Sequence, residues 1–177
     1  MLPEVINTAR LVLRPWSFED VPDVMLYAQD GEWARYLAVP HPYSEADAHR
    51  FIASQILLDG EQHASWVIRY DDRSAGGINI RFFFDFRVGE IGYSIARPLW
   101  GRGLATEASR AIVTAAFSQY PQLMRIRAMA DARNERSHRV LEKLGMTREG
   151  LLRKNRLARN EFVDEVWYGV LRSEWVA

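Results

Sequence analysis

The chain has 177 residues, 48% hydrophobic and 26% charged, which suits one domain over residues 1–177 with a single sizeable core. Lysine plus arginine equal aspartate plus glutamate at 23 each, so no net field draws the molecule to nucleic acid or to an anionic membrane. There is no cysteine, which excludes disulfides, thiolate metal sites and a cysteine nucleophile; no apolar run approaches the roughly 20 residues of a membrane span, and MLPEVINTAR carries no secretory signature, so a cytoplasmic protein is expected.

In chain order, ARLVLRP (Ala9–Pro15) alternates apolar and polar residues and reads as a strand. Ser17 with Asp20 makes a capping box for a helix that places Val21, Val24, Met25 and Ala28 on one face. Ser44 with Asp47 repeats the start signal, and Ala48, Ile52 and Ile56 continue a second apolar stripe toward Gly60. The period then changes to two. ASWVIRYDD and AGGINIRFFF flank a polar turn at Asp71–Ser74 and read as a hairpin, followed by a strand at Val88–Ala96. After PLWGRG, the stripe Leu104, Ala108, Ile112 and Ala115 marks a strong helix. MRIRAMA (Met124–Ala130) is strand-like, Asn134–Leu144 reads as a short helix stopped by Gly145, and Thr147–Arg153 and Glu161–Leu171 are the last two strands. Seven strands and four helices in this order mix hairpins with one β-α-β crossover. An α+β fold with a parallel pair near the middle of its sheet is expected.

The stretch PLWGRGLATEA opens a helix with glycines where Ser or Asp would cap it better. Gly101 and Gly103 remove the Cβ atoms that obstruct an approaching phosphate, and Ala105 keeps the third site small. Unsatisfied N–H groups and the helix dipole then favour an anion, with Arg102 and the Thr106 hydroxyl beside it. Tight packing is the other use of such glycines. Neither GxxxxGK[ST] nor GxGxxG is present, so an ATP-binding loop lacks its lysine.

Two segments, EIGYSIARPLWGRGLATEA (Glu90–Ala108) and NERSHRVLEKLGM (Asn134–Met146), resemble the GNAT acyltransferases, specifically the Rim-type ribosomal-protein amino-terminal acetyltransferases. The resemblance runs from TARLVLRPW to DEVWYGVLRSEW. It implies a mixed, mostly antiparallel seven-stranded sheet splayed between its fourth and fifth strands, flanked by about four helices, with acetyl-CoA in the gap. By position, Leu99, Trp100, Gly101, Arg102, Gly103, Leu104, Ala105 and Thr106 would cradle the pyrophosphate. Gly92, Tyr93 and Ser94 would pair with the pantetheine arm as an added strand does, and Asn134 and Ser137 would bond it from the other side. Trp100 stands where many relatives have Gln or Arg, as it often does in the Rim-type branch.

The implied reaction is direct transfer of acetyl from acetyl-CoA to a primary amine, either a protein α-amine or a small amine or polyamine, without metal. Glu90 is the candidate base, or else an anchor for the substrate ammonium or a solvated strand charge. A backbone N–H around Ser94 is the candidate oxyanion donor. Many family members place a tyrosine general acid where this chain has Leu141, which cannot donate a proton. Ser137 lies one helical turn earlier and is the replacement candidate, with water as the alternative donor. Leu141 is also the one feature favouring a rival reading, a CoA-binding regulatory module without turnover. His41, His49, His63 and His138 have no metal-ligand spacing. Tyr27, Trp33, Tyr36, Trp66 and Tyr168 serve either the core or a substrate cleft, which the segments Tyr27–Pro42 and Asn155–Asn160 would shape. An exposed sheet edge would permit a homodimer.

Overall fold

In the computed structural model, which describes residues 1–176, the period-two segments join into one eight-stranded sheet. Its strands are β1 (Ile6–Asn7), β2 (Val12–Arg14), β3 (His63–Tyr70), β4 (Arg73–Phe83), β5 (Val88–Ile95), β6 (Arg125–Asp131), β7 (Thr147–Ala158) and β8 (Glu161–Leu171), in the spatial order β1-β2-β3-β4-β5-β6-β8-β7. Only β5 and β6 run parallel. The helices are α1 (Val21–Ala28), α2 (Gly31–Ala34), α3 (Glu45–Ile56), α4 (Leu104–Gln119) and α5 (Glu135–Lys143).

The expected α+β architecture is present, with one more strand and one more helix than the sequence pattern suggested. Two residues of β1 are too few to display a period, and α2 is a single turn started by the Asp30 carboxylate, which accepts from Glu32 N. The stretch read as one strand from Ala9 instead turns at Thr8–Leu11, where Thr8 N donates to Leu11 O at 2.9 Å, and extends only from Val12. Both capping boxes form, Ser17 with Asp20 and Ser44 with Asp47.

The sheet is a middle layer. On one face α4 buries Leu104, Ala108, Ile112, Val113 and Ala116 against Ile78, Ile80, Ile91 and Ile126. On the other, Val24 and Ala28 of α1 and Ile52 of α3 pack with Trp16 and Val67. Strand β3 shows the logic: Trp66 and Ile68 enter the first cluster and Val67 the second, as alternation requires.

The feature that positions a site is the parallel pair. Its rungs are Val88 with Arg125, Gly89 with Ile126 and Glu90 with Arg127, and there the pairing ends. Beyond Glu90, β5 continues beside β4 to Ile95, while β6 continues beside β8 to Asp131. The splay expected between the fourth and fifth strands of the sequence pattern therefore lies between β5 and β6.

One glycine lets β5 hold this course. A Cβ built on Gly76 would stand 2.0 Å from the Ser94 carbonyl oxygen. Replacing Gly76 with alanine must displace β5 at the mouth of the splay. We expect Gly76→Ala to lower unfolding free energy by roughly 1–3 kcal/mol, the usual range for over-packing, measured by urea denaturation; an unchanged midpoint would show that β4 and β5 separate there without penalty.

Candidate functional site

Helix α4 begins without a side-chain cap. Gly103, at its N-cap, has φ 78°, and Gly101 has φ 77°. In this left-handed region a β-branched residue is strained, which accounts for the glycines. The first intrahelical bond runs from Glu107 N to Gly103 O, so the N–H groups of the preceding turn have no helical acceptor.

The loop is anchored from the strand side by Trp100. Its indole Nε1 donates to the Ile95 carbonyl at 2.7 Å, and the Arg136 guanidinium lies 4.6 Å from the centre of its ring. Trp100 thus ties the end of β5 to the start of the loop while α5 covers it.

Between the parted strands lies a cleft of about 580 Å³, within the size range of small-molecule sites. Of the residues singled out from sequence, Tyr93, Ser94, Leu99, Trp100, Gly101, Gly103, Leu104, Ala105, Thr106, Asn134 and Ser137 border it. Glu90, Gly92 and Arg102 do not. Glu90 sits at the last parallel rung, where its Oε2 accepts from Arg127 Nε at 2.9 Å. Arg102 is exposed, and its carbonyl points to Arg10 outside the cleft.

Strand alternation sorts the backbone groups of β5. Ala96 N donates to Ala75 O in β4, whereas Arg87 O accepts from Met124 N on the β6 side. With a period of two, Gly92 and Ser94 turn their peptide groups to β4, and Ile91, Tyr93 and Ile95 turn theirs to the splay. The donors along the parted edge are therefore Tyr93 and Ile95, each one residue from the Ser94 position suggested by the sequence.

Across the gap, Asn134 caps α5 by accepting from Ser137 N through Oδ1 at 3.2 Å, which leaves its NH2 end for a ligand. The Ser137 hydroxyl lies 2.9 Å from the Tyr93 phenol oxygen. Burial pushes the phenol well above its ordinary pKa, so it is neutral at physiological pH. Sequence reasoning missed this side-chain pairing, since only the fold brings β5 to α5. Leu141 is fully buried in the core and does not border the cleft.

The cleft also collects charge that sequence reading overlooked. Arg136, Arg139 and Lys143 line it from one face of α5, and Arg133 stands at the helix entrance. Their i, i+3, i+7 spacing was the available signal. Asp131 at the end of β6 binds Arg133 through both oxygens, at 2.9 Å each. Burial alone would raise the Asp131 carboxyl, but the Arg133 bonds and charge hold it below the usual carboxylate range. Glu165, buried on β8, accepts from Asn155 and Arg156 at 2.7 Å each.

The outer wall is made by Glu32–Leu37, including Trp33 and Tyr36. Arg156 reaches the Tyr36 carbonyl at 3.4 Å and Arg159 the Ala34 carbonyl at 2.6 Å, so the two segments expected to shape an acceptor pocket are in contact. Tyr27, Trp66 and Tyr168 are core residues. Among the described residues, no cluster of His, Cys, Asp or Glu has the geometry of a metal site, and no helix is long and apolar enough to cross a membrane.

Comparison with known proteins bears on the same surfaces. The profile of the acetyltransferase (GNAT) domain matches residues 10–147. The uncharacterized N-acetyltransferase YnaD of Bacillus subtilis is 32% identical over 96% of this chain and 98% of its own length. YdaF of the same organism, designated a candidate ribosomal N-acetyltransferase, is 30% identical over 95% of this chain and 92% of its own length. A crystal structure of a GNAT-family acetyltransferase from Bacillus anthracis superposes with a TM-score of 0.85 at 28% identity, covering 96% of this chain and 99% of that one.

The Trp100 anchor is directly testable. Trp100→Phe keeps the ring under Arg136 and removes only the indole N–H. Stability should fall by about 1 kcal/mol, the net worth of one such bond, and amide exchange at Gly101–Leu104 should accelerate. Unaltered exchange there would mean that the loop holds its shape without the anchor.

Proposed function

The chain belongs to the GNAT acetyltransferase family and is an acetyl-CoA-dependent N-acetyltransferase; from that premise we propose how its cleft binds the donor and which groups move protons. The observation that carries the reading is the parting of β5 from β6 beyond Glu90, directly beside an uncapped helix N-terminus. The pyrophosphate of acetyl-CoA lies on the N–H groups of Gly101–Thr106, where the α4 dipole and the cleft arginines favour negative charge. The pantetheine arm runs along the parted edge of β5 and bonds the peptide groups of Tyr93 and Ile95, with the Asn134 amide and the Ser137 hydroxyl facing it.

The acceptor amine reaches the thioester from the Glu90 side. Glu90 takes the ammonium proton, directly or through one water, with its Oε1; Oε2 remains on Arg127. The neutral nitrogen attacks the carbonyl carbon, and the oxyanion is bonded by a backbone N–H from Tyr93 or Ile95. The C–S bond then breaks while the nitrogen gives its surplus proton to a water, giving the amide and a thiolate; that proton balances the one the thiolate takes up. Ser137, whose hydroxyl is oriented by Tyr93, or a water supplies the thiolate proton. Leu141 takes no part.

For the acceptor we favour the α-amine of a polypeptide or a small monoamine over a polyamine. Each carboxylate near the splay already has an arginine partner: Glu90 with Arg127, Asp131 with Arg133 and Glu165 with Arg156. A polycation would find no bare negative charge among them. The designation of YdaF supports the same choice. Thiol release from acetyl-CoA with a panel of peptides, monoamines and spermidine tests it; spermidine as the best acceptor would reverse it.

Acetyl-CoA in EDTA should raise the melting temperature in a concentration-dependent way, by about 2.7 kcal/mol of stabilisation at a hundred times Kd. Gly103→Val, strained at φ 78°, should abolish that rise. No shift with the native chain at millimolar acetyl-CoA would remove the donor assignment.

Glu90→Gln should keep acetyl-CoA affinity and lower kcat by about 10²–10⁴-fold, the range of a general base, with partial recovery as pH rises and more amine is already neutral. A raised amine KM with unchanged kcat would instead make Glu90 an anchor for the ammonium. Unchanged values of both would leave it only its pairing with Arg127.

A further inference from the structure

The N-terminal turn meets the anion-binding loop from behind. On the first turn of α4, the Glu107 carboxylate accepts from Thr8 Oγ1 at 2.6 Å, from Arg10 N at 2.9 Å and from Arg10 Nε at 2.7 Å. Arg10 Nη2 lies 2.6 Å from Glu107 Oε2, and Arg10 Nη1 donates to the Arg102 carbonyl at 3.0 Å. The guanidinium is thus a fork with one face on a carboxylate and one prong on the loop. Burial would raise the Glu107 carboxyl, but the Thr8 and Arg10 bonds draw it below its ordinary value.

We propose that Arg10, held by Glu107, is a positioning residue that aims the Gly103 N–H at the donor's diphosphate. Arg102 C=O and Gly103 N–H belong to one trans peptide unit, in which the two groups point in opposite directions. Arg10 lies outside the cleft and Gly103 borders it, so a carbonyl fixed on Arg10 turns the amide hydrogen inward. That N–H makes no hydrogen bond among the described residues. Two glycines in left-handed conformation give the loop little stiffness of its own, and converging N–H dipoles repel one another before an anion arrives. A guanidinium on the carbonyl also polarises the peptide, strengthening its N–H as a donor. Glu107 prevents the fork from swinging away and keeps Arg10 from competing for the phosphate.

This inference rests on the reading of Gly101–Thr106 as the diphosphate site, and two donors separate the two ideas. Acetyl-CoA carries the diphosphate; acetylpantetheine has the same thioester and arm without it. The native enzyme should prefer acetyl-CoA in kcat/KM. Arg10→Ala should raise the acetyl-CoA KM about tenfold, the loss of one charge-assisted bond, with kcat within about twofold, and should leave kcat/KM for acetylpantetheine unchanged. Glu107→Gln should reproduce the split with a smaller change. Arg10→Lys should not restore affinity, since an ammonium cannot bridge Glu107 and the Arg102 carbonyl at once. Equal losses with both donors would reduce the clamp to a fold contact, and no loss with either would remove it. Rescue by lysine would replace geometry with simple charge. A native enzyme indifferent to the diphosphate would overturn the loop reading, and this proposal with it.

Discussion

A parallel ladder that stops after three rungs is the constraint on which the rest of the molecule depends. Strand edges carry hydrogen-bonding groups that must find partners. Where β5 leaves β6, the Ile91, Tyr93 and Ile95 edge has no neighbouring strand, and the other edge of each strand is already occupied by β4 or β8. The chain fills one of these vacancies itself, by donating the Trp100 indole to Ile95. Tyr93 and Ile95 border a cleft that begins at an uncapped helix. One interruption in backbone pairing thus supplies the groove, its polar lining and the two faces from which two reactants meet.

Charge around that interruption is arranged asymmetrically. On the α5 side, Arg136, Arg139 and Lys143 border the cleft and are suited to a highly anionic donor. Glu90 on β5, Asp131 on β6 and Glu165 on β8 are instead each matched by an arginine. Pairing leaves little unspent negative charge there. Arg127 adds stability to its pair by lying 4.9 Å from the Phe83 ring centre and 4.8 Å from that of Trp167.

What could be read from the sequence was whatever is encoded locally. The Ser17 cap of the turn leading into α1, the Ser44 cap of α3, the Gly145 stop, the β3–β4 turn and the glycines before α4 each announce themselves within a few residues and together mark the element order. The splay came from the likeness of two motifs to a family, since no single strand discloses where its neighbour departs. Side-chain partners from distant segments stayed hidden. Thr8 and Arg10 meet a glutamate about a hundred residues away, and Tyr93 meets Ser137 44 residues on. Which peptide groups around Ser94 face the splay stayed hidden for a related reason: the edge a residue faces depends on the register with β4, and register is a property of the pair. Trp100 was recognised as unusual, but its carbonyl partner became visible only in the folded chain.

The same three rungs bear on the order in which the protein assembles. β3–β4 and β7–β8 are hairpins that close over a few residues, whereas the rung between Val88 and Arg125 closes a loop of roughly 37 residues containing all of α4. Loop closure of that length costs about 2 kcal/mol more entropy than a tight turn. So few rungs return little of it before α4 has docked on Ile78, Ile80 and Ile126. The hairpins can form independently as local units, whereas the seam between the two halves of the sheet becomes worthwhile only with α4 in place. The groove for the donor therefore takes shape only with the docking of α4, and a molecule lying across it splints a join of only three rungs.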